Sequence, residues 1–141
     1  MLVLATSATS TISAISSAAA ATKFQANIVV QVEQPVALVE RQLSDNGAYI
    51  VSQQGRIYFW KYNSRWLARV LDITSLTSAK GERGLLGLTF RKGLAYLNYT
   101  NKSGDTVIAE YALTKTGEFD AKSRRQLLVI KQPYSNHNGG A

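Results

Sequence analysis

From position 28 onward, apolar and polar residues exchange in short runs, and the helical spacing of three and four residues is not sustained anywhere. Eight segments have the length and composition of β-strands: ALVE (37–40), AYIVS (48–52), RIYFWKY (56–62), WLARVLDI (66–73), LLGLTF (85–90), LAYLNYT (94–100), TVIAEYAL (106–113) and QLLVIK (126–131). Most mix outward polar residues with Val, Ile, Tyr or Leu, the side chains that fit a pleated, half-buried surface. Asp45-Asn46-Gly47 and Ser103-Gly104-Asp105 supply the positive-φ positions that tight hairpins require, and Gln53-Gln54-Gly55 is a weaker turn of the same kind. The pattern predicts an all-β fold built as an antiparallel meander, which a sandwich, a barrel or a propeller would satisfy equally. A loose repeat favours the propeller. AYIVSQQGRIYFWKY and LAYLNYTNKSGDTVIAEYAL each join two strands through a Gly-containing turn, and they recur after roughly 45 residues, the spacing of four-stranded blades.

The stretch before this pattern is different in kind. Residues 1–27 are rich in Ala, Ser and Thr and carry no charge before Lys23. They read as a flexible leader or a degenerate signal segment: Ala19-Ala20-Ala21 resembles a cleavage site, but the basic n-region is missing and hydroxyl residues dilute the apolar core. Those hydroxyls also argue against a membrane span, which needs about 20 predominantly apolar residues. The domain proper is expected over 28–141.

Composition narrows the chemistry further. At 45% hydrophobic and 18% charged, the 141-residue chain falls among globular domains. It has no cysteine and a single histidine, so neither a disulfide framework nor a thiolate or His-rich metal site is available, and no metal ligands are assigned within it. The net charge of +7 raises the question of a nucleic-acid partner. The basic residues are scattered, however, and the densest pairs, Arg91-Lys92 and Arg124-Arg125, form no helical stripe and no aromatic-interleaved motif, so no nucleic-acid partner is expected.

The lone histidine, His137, stands in the terminal stretch QPYSNHNGGA, which by composition alone is a turn-rich tail. Read together with GERGLLGLTF (81–90), VSQQGRIYFW before it and LNYTNKSGDTVIAEY between, it gives four signatures in register. From about Val36 to Gly140 the chain resembles the N-terminal part of the soluble quinoprotein glucose/sorbosone dehydrogenases, whose cofactor is pyrroloquinoline quinone. The resemblance implies a partial six-bladed β-propeller, here about two N-terminal blades. It implies oxidation of an aldose or related sugar by hydride transfer to the quinone, with electrons passed to an external acceptor, and a periplasmic or secreted location. Calcium would be expected too, on ligands outside this chain.

The resemblance also gives His137 the role of general base. The chemistry suits it: oxidising a hydroxyl by hydride loss requires removal of the hydroxyl proton, and an imidazole with an ordinary pKa near 6.5 accepts protons at neutral pH. Glu82 falls where relatives carry a polar side chain facing quinone and substrate; it could bond a sugar hydroxyl or orient the imidazole, or simply pair with Arg83. Arg83 could attract an anionic quinone or serve a surface role, while Asn136 and Asn138 read as turn formers and supporting hydrogen bonders. Two departures stand out. After GLLGLTF the family's longer loop is reduced to Arg91-Lys92-Gly93, and the family's cofactor-clamping basic residues, calcium ligands and histidine-partnering carboxylate have no counterpart here. The chain is therefore expected to be a truncated fragment, inactive alone. A non-catalytic propeller that binds ligands remains the alternative reading.

Overall fold

The computed structural model describes residues 24–41 and 46–139; the expected leader up to position 23, Asp45 of the first turn motif and Gly140 lie outside them. All eight anticipated strands form: β1 (Pro35–Val39), β2 (Gly47–Ser52), β3 (Arg56–Lys61), β4 (Leu67–Asp72), β5 (Leu85–Arg91), β6 (Leu94–Thr100), β7 (Thr106–Ala112) and β8 (Arg125–Ile130). They make two four-stranded antiparallel sheets, each in chain order, β1-β2-β3-β4 and β5-β6-β7-β8. The described residues are all-β apart from one short 3-10 turn, Ala121–Ser123, whose first turn is capped by the Asp120 carboxylate accepting from the Lys122 amide at 2.9 Å. None of the described helices is long and apolar enough to cross a membrane.

Turn chemistry sets the pairing. Gln53-Gln54-Gly55 closes the β2–β3 hairpin, with the Gly55 amide donating to the Ser52 carbonyl at 3.0 Å. Lys92 (φ +49°) and Gly93 (φ +78°) are both left-handed, the two-residue turn whose twist matches the flanking strands β5 and β6. The two repeated stretches of sequence are the central hairpins of their sheets, β2–β3 and β6–β7.

The two sheets share one core. Tyr49, Val51, Ile57 and Leu71 from the first meet Leu85, Leu88, Leu97, Tyr99, Val107 and Tyr111 from the second, all buried. Strict alternation would not send both Leu85 and Leu88 inward. A register shift between Leu85 and Gly87 makes Leu86 an extra residue, and this bulge restores the inward face three positions on. At one end of the core an aromatic cluster spans the two sheets, with Tyr49 4.9 Å from Phe90, 5.2 Å from Phe59 and 6.1 Å from Phe119, ring centroid to ring centroid. The Tyr49 hydroxyl there donates to the Gly117 carbonyl at 3.0 Å, so its burial leaves no orphaned polar group.

Candidate functional site

At the opposite end of the core, the first sheet grips the loop that precedes β5. The Gln53 side-chain amide donates to the carbonyls of Gly81 (2.7 Å) and Arg83 (2.8 Å), and the Leu85 amide donates to the Gln53 carbonyl at 2.8 Å. Gly84 sits at the closest approach, with φ +143°; a Cβ there would collide with the Gln53 carbonyl. Only glycine meets both demands, which accounts for the second glycine of GERG.

This anchored loop presents Glu82 to solvent, and the chain after β8 returns to it. The His137 amide donates a hydrogen bond to the Glu82 carboxylate, joining residues far apart in sequence. His137 is exposed and lies in the left-handed region at φ +56°, a conformation uncommon outside glycine and costing about 1–3 kcal/mol where the surroundings do not favour it. A charge-assisted bond from an amide to a carboxylate is one of the stronger ways to hold such a backbone.

Two more of the anticipated residues fix the same segment through one carbonyl. Arg83 Nη2 donates to the Tyr134 carbonyl at 3.3 Å, and Asn138 Nδ2 donates to the same oxygen at 3.5 Å, a marginal length. Arg83 is half-buried and its guanidinium packs on Gly104, where an added Cβ would stand 2.8 Å from Nη2. Asn138 is completely buried. The start of the segment is held by Asp105, which accepts from Lys131 Nζ at 2.9 Å and the Gln132 amide at 3.3 Å. The Lys131 ammonium, against a smaller opposing effect of desolvation, holds the Asp105 carboxyl below its ordinary range.

Four of the five residues singled out from sequence thus converge: Glu82, Arg83, His137 and Asn138. Asn136 lies exposed one position before His137 and takes no part in these contacts. The arrangement differs in detail from either expectation for Glu82. Its carboxylate engages the His137 backbone, neither the imidazole nor the Arg83 guanidinium. Sequence reasoning also passed over Gln53 and the Tyr134 carbonyl. Gln53 was within reach, since QQG stands in one of the four signatures; a backbone carbonyl leaves no mark in a sequence.

What the site offers chemically is an exposed imidazole and an exposed carboxylate on a loop braced by both sheets. These groups suit the proton half of an alcohol oxidation. They do not by themselves suit a polyanionic cofactor: the adjacent guanidinium, Arg83, is directed to the Tyr134 carbonyl. Among the described residues, no cluster of three or more His, Cys, Asp or Glu side chains is placed to hold a metal ion. No family model matches the chain.

Proposed function

We propose that the two sheets are consecutive blades of a larger β-propeller, and that the Glu82–His137 loops form part of the active site of a sugar dehydrogenase. The observation that carries this reading is the meeting of GERGLLG and NHNGG through the His137 amide and the Glu82 carboxylate. Two stretches that resemble one family's site words are brought together by the fold, with the imidazole left open to solvent. In this reading His137 takes the proton from a sugar hydroxyl as the carbon-bound hydride leaves. Glu82 holds the His137 backbone and has remaining acceptor capacity for a second hydroxyl. Pyrroloquinoline quinone, bound by groups outside the described residues, would be the hydride acceptor, and an external acceptor would reoxidise it. Further blades of the propeller would cover β8, every residue of which is exposed.

One observation favours the second reading, a propeller that binds without redox chemistry. Among the described residues no carboxylate is hydrogen-bonded to the imidazole, so nothing there fixes its tautomer or ring orientation. The two readings part on one experiment in the longest polypeptide that carries this segment: single-turnover reduction of bound quinone by an aldose across pH 5 to 9. The dehydrogenase reading expects His137→Ala to slow reduction by about 10²–10⁴-fold with quinone affinity little changed, and Glu82→Gln to slow it less. Reduction at the wild-type rate in His137→Ala, with sugar still bound, would establish the binding module in its place.

A further inference from the structure

The central hairpins of the two sheets close on the same turn, the Gly55 amide donating to the Ser52 carbonyl and the Gly104 amide to the Asn101 carbonyl, each at 3.0 Å. Counting back from these turns makes Tyr49 the counterpart of Asn98, and Ile50 the counterpart of Tyr99. Tyr49 points into the shared core, whereas Asn98, which alternates with the core residues Leu97 and Tyr99, points away from it. Conversely, Tyr99 is in the core and Ile50 lies on the far face of the first sheet, beside Val29 and Val30. Equivalent residues therefore point the same way in both sheets. The sheets are stacked front to back, as successive steps of a rotation, and not face to face about a two-fold axis.

Such a stack leaves one back and one front without a facing sheet. The back, on the first sheet, is apolar: Leu38 is 61% exposed, and a cleft of about 370 Å³ runs beside it between Val29, Ile50 and Trp60. The front, on the second sheet, has a cleft of about 360 Å³ where Gly87 and Thr89 leave room beside Tyr96 and Ile108. The two surfaces also carry opposite charges. Glu40 alternates with Val39 onto the back, where it accepts from the Tyr62 hydroxyl, and the Tyr62 ring packs edge-on against Trp60 at 5.2 Å. Arg91 alternates with Phe90 onto the front, beside Tyr96, and enters no ion pair among the described residues. Both are exposed, and both stand at the ends of the first strands of their sheets, which meet at one end of the molecule.

We propose that copies of this chain repeat the step between its own two sheets, the back of the first sheet of one copy on the front of the second sheet of the next, and close into a ring. Continuity with the interface inside the chain selects a second copy as the occupant of both surfaces, because each is the turn-matched equivalent of a surface already packed in that way. The charges agree, since the step brings Glu40 of one copy to the Arg91 end of β5 in its neighbour. A head-to-tail contact of this kind gives a ring when its rotation closes. Rings of about two to four copies would hold about four to eight sheets, the range of closed propellers. The inference rests on reading the two sheets as blades and is independent of any sugar chemistry at His137.

The test is native mass spectrometry and sedimentation velocity of the whole chain from about 1 to 100 µM, at about 0.15 M salt so that repulsion between copies of net charge +7 is screened. One closed species of about two to four copies should appear as the concentration rises. Leu38→Asp, at an exposed position, should raise the concentration required by about tenfold or more. Glu40→Arg and Arg91→Glu should each weaken association by about threefold to tenfold, and both substitutions in one chain should recover most of the loss. That recovery also shows that the substituted chains fold. The proposal is overturned by a monomer throughout the range, by a ladder of sizes with no closed limit, or by a doubly substituted chain that associates no better than either single variant. Because the readout is mass, a negative result leaves the quinone experiment free to succeed, and a negative quinone experiment leaves the ring standing.

Discussion

β2 and β8 are strands of equal length and similar apolar content, GAYIVS and RQLLVI, yet all six residues of the first are buried and all six of the second are exposed. β2 is paired on both sides, by β1 and β3; one face meets the second sheet, and on the other the chain at Val29 and Val30 passes near Ile50. Among the described residues β8 has β7 alone as a strand neighbour, and both its faces are exposed. The difference shows that burial is conferred by neighbours and not by the strand's own sequence. Leu127-Leu128-Val129-Ile130 is the composition of a doubly covered strand placed at an uncovered edge, where unpaired backbone groups invite a further strand.

The comparison is sharpened most by truncating one side chain on each strand. Tyr49→Ala removes the ring that ties the two sheets together and its bond to Gly117, and should cost about 3–5 kcal/mol. Leu128→Ala should change stability by less than about 0.5 kcal/mol. Amide hydrogen exchange reads both: β2 and β3 amides should lose protection in the first variant only, and equal losses would erase the contrast. Next in size is Gly84→Ala at the seam between the sheets. A left-handed alanine pressed on the Gln53 carbonyl should cost about 1–3 kcal/mol and show as faster exchange at Leu85, whose amide bonds that carbonyl.

A charged edge tests β8 from the other direction. Leu127→Lys with Val129→Lys should leave the fold intact and increase the monomer fraction in size-exclusion chromatography, because self-pairing through the edge would place like charges together. Unchanged self-association would locate the sticky surface elsewhere. The smallest effect is expected beyond the end of β8, at Asp105. Its carboxyl is held below its ordinary pKa in the folded state, so its stabilisation is present above about pH 4 and is lost as the pH falls through the folded value. Protection of the Gln132 amide should therefore decline below about pH 4, and Asp105→Asn should flatten that decline.

The strands were legible because short runs rich in Val, Ile, Leu and Tyr alternate with turn residues, and each of the eight was expected within a few residues of where it forms. The Ser103-Gly104-Asp105 and Gln53-Gln54-Gly55 turns were legible for the same reason, although the second proved to be more than the weak turn its residues suggest. The bulge at Leu86 was not visible, since two adjacent leucines suit either face. Nor was the exposure of β8, because an apolar run announces a need for cover without saying whether cover is present. At the candidate site the residue types of Glu82 and His137 were readable, and their meeting was implied by resemblance. The bond that joins them was not, because it uses a backbone amide, a group every residue but proline carries.

Gln53 fastens the Glu82 loop to the first sheet, while the Gly84 carbonyl, accepting from the Thr100 amide at 2.8 Å, fastens it to the second. The loop is thus a staple across the two sheets, and the His137 segment, which hangs from β8 and Asp105, is registered against both through the Glu82 carboxylate. Substitutions deep in the shared core, remote from any reacting group, would then retune the site by altering the fit between the sheets that the staple joins.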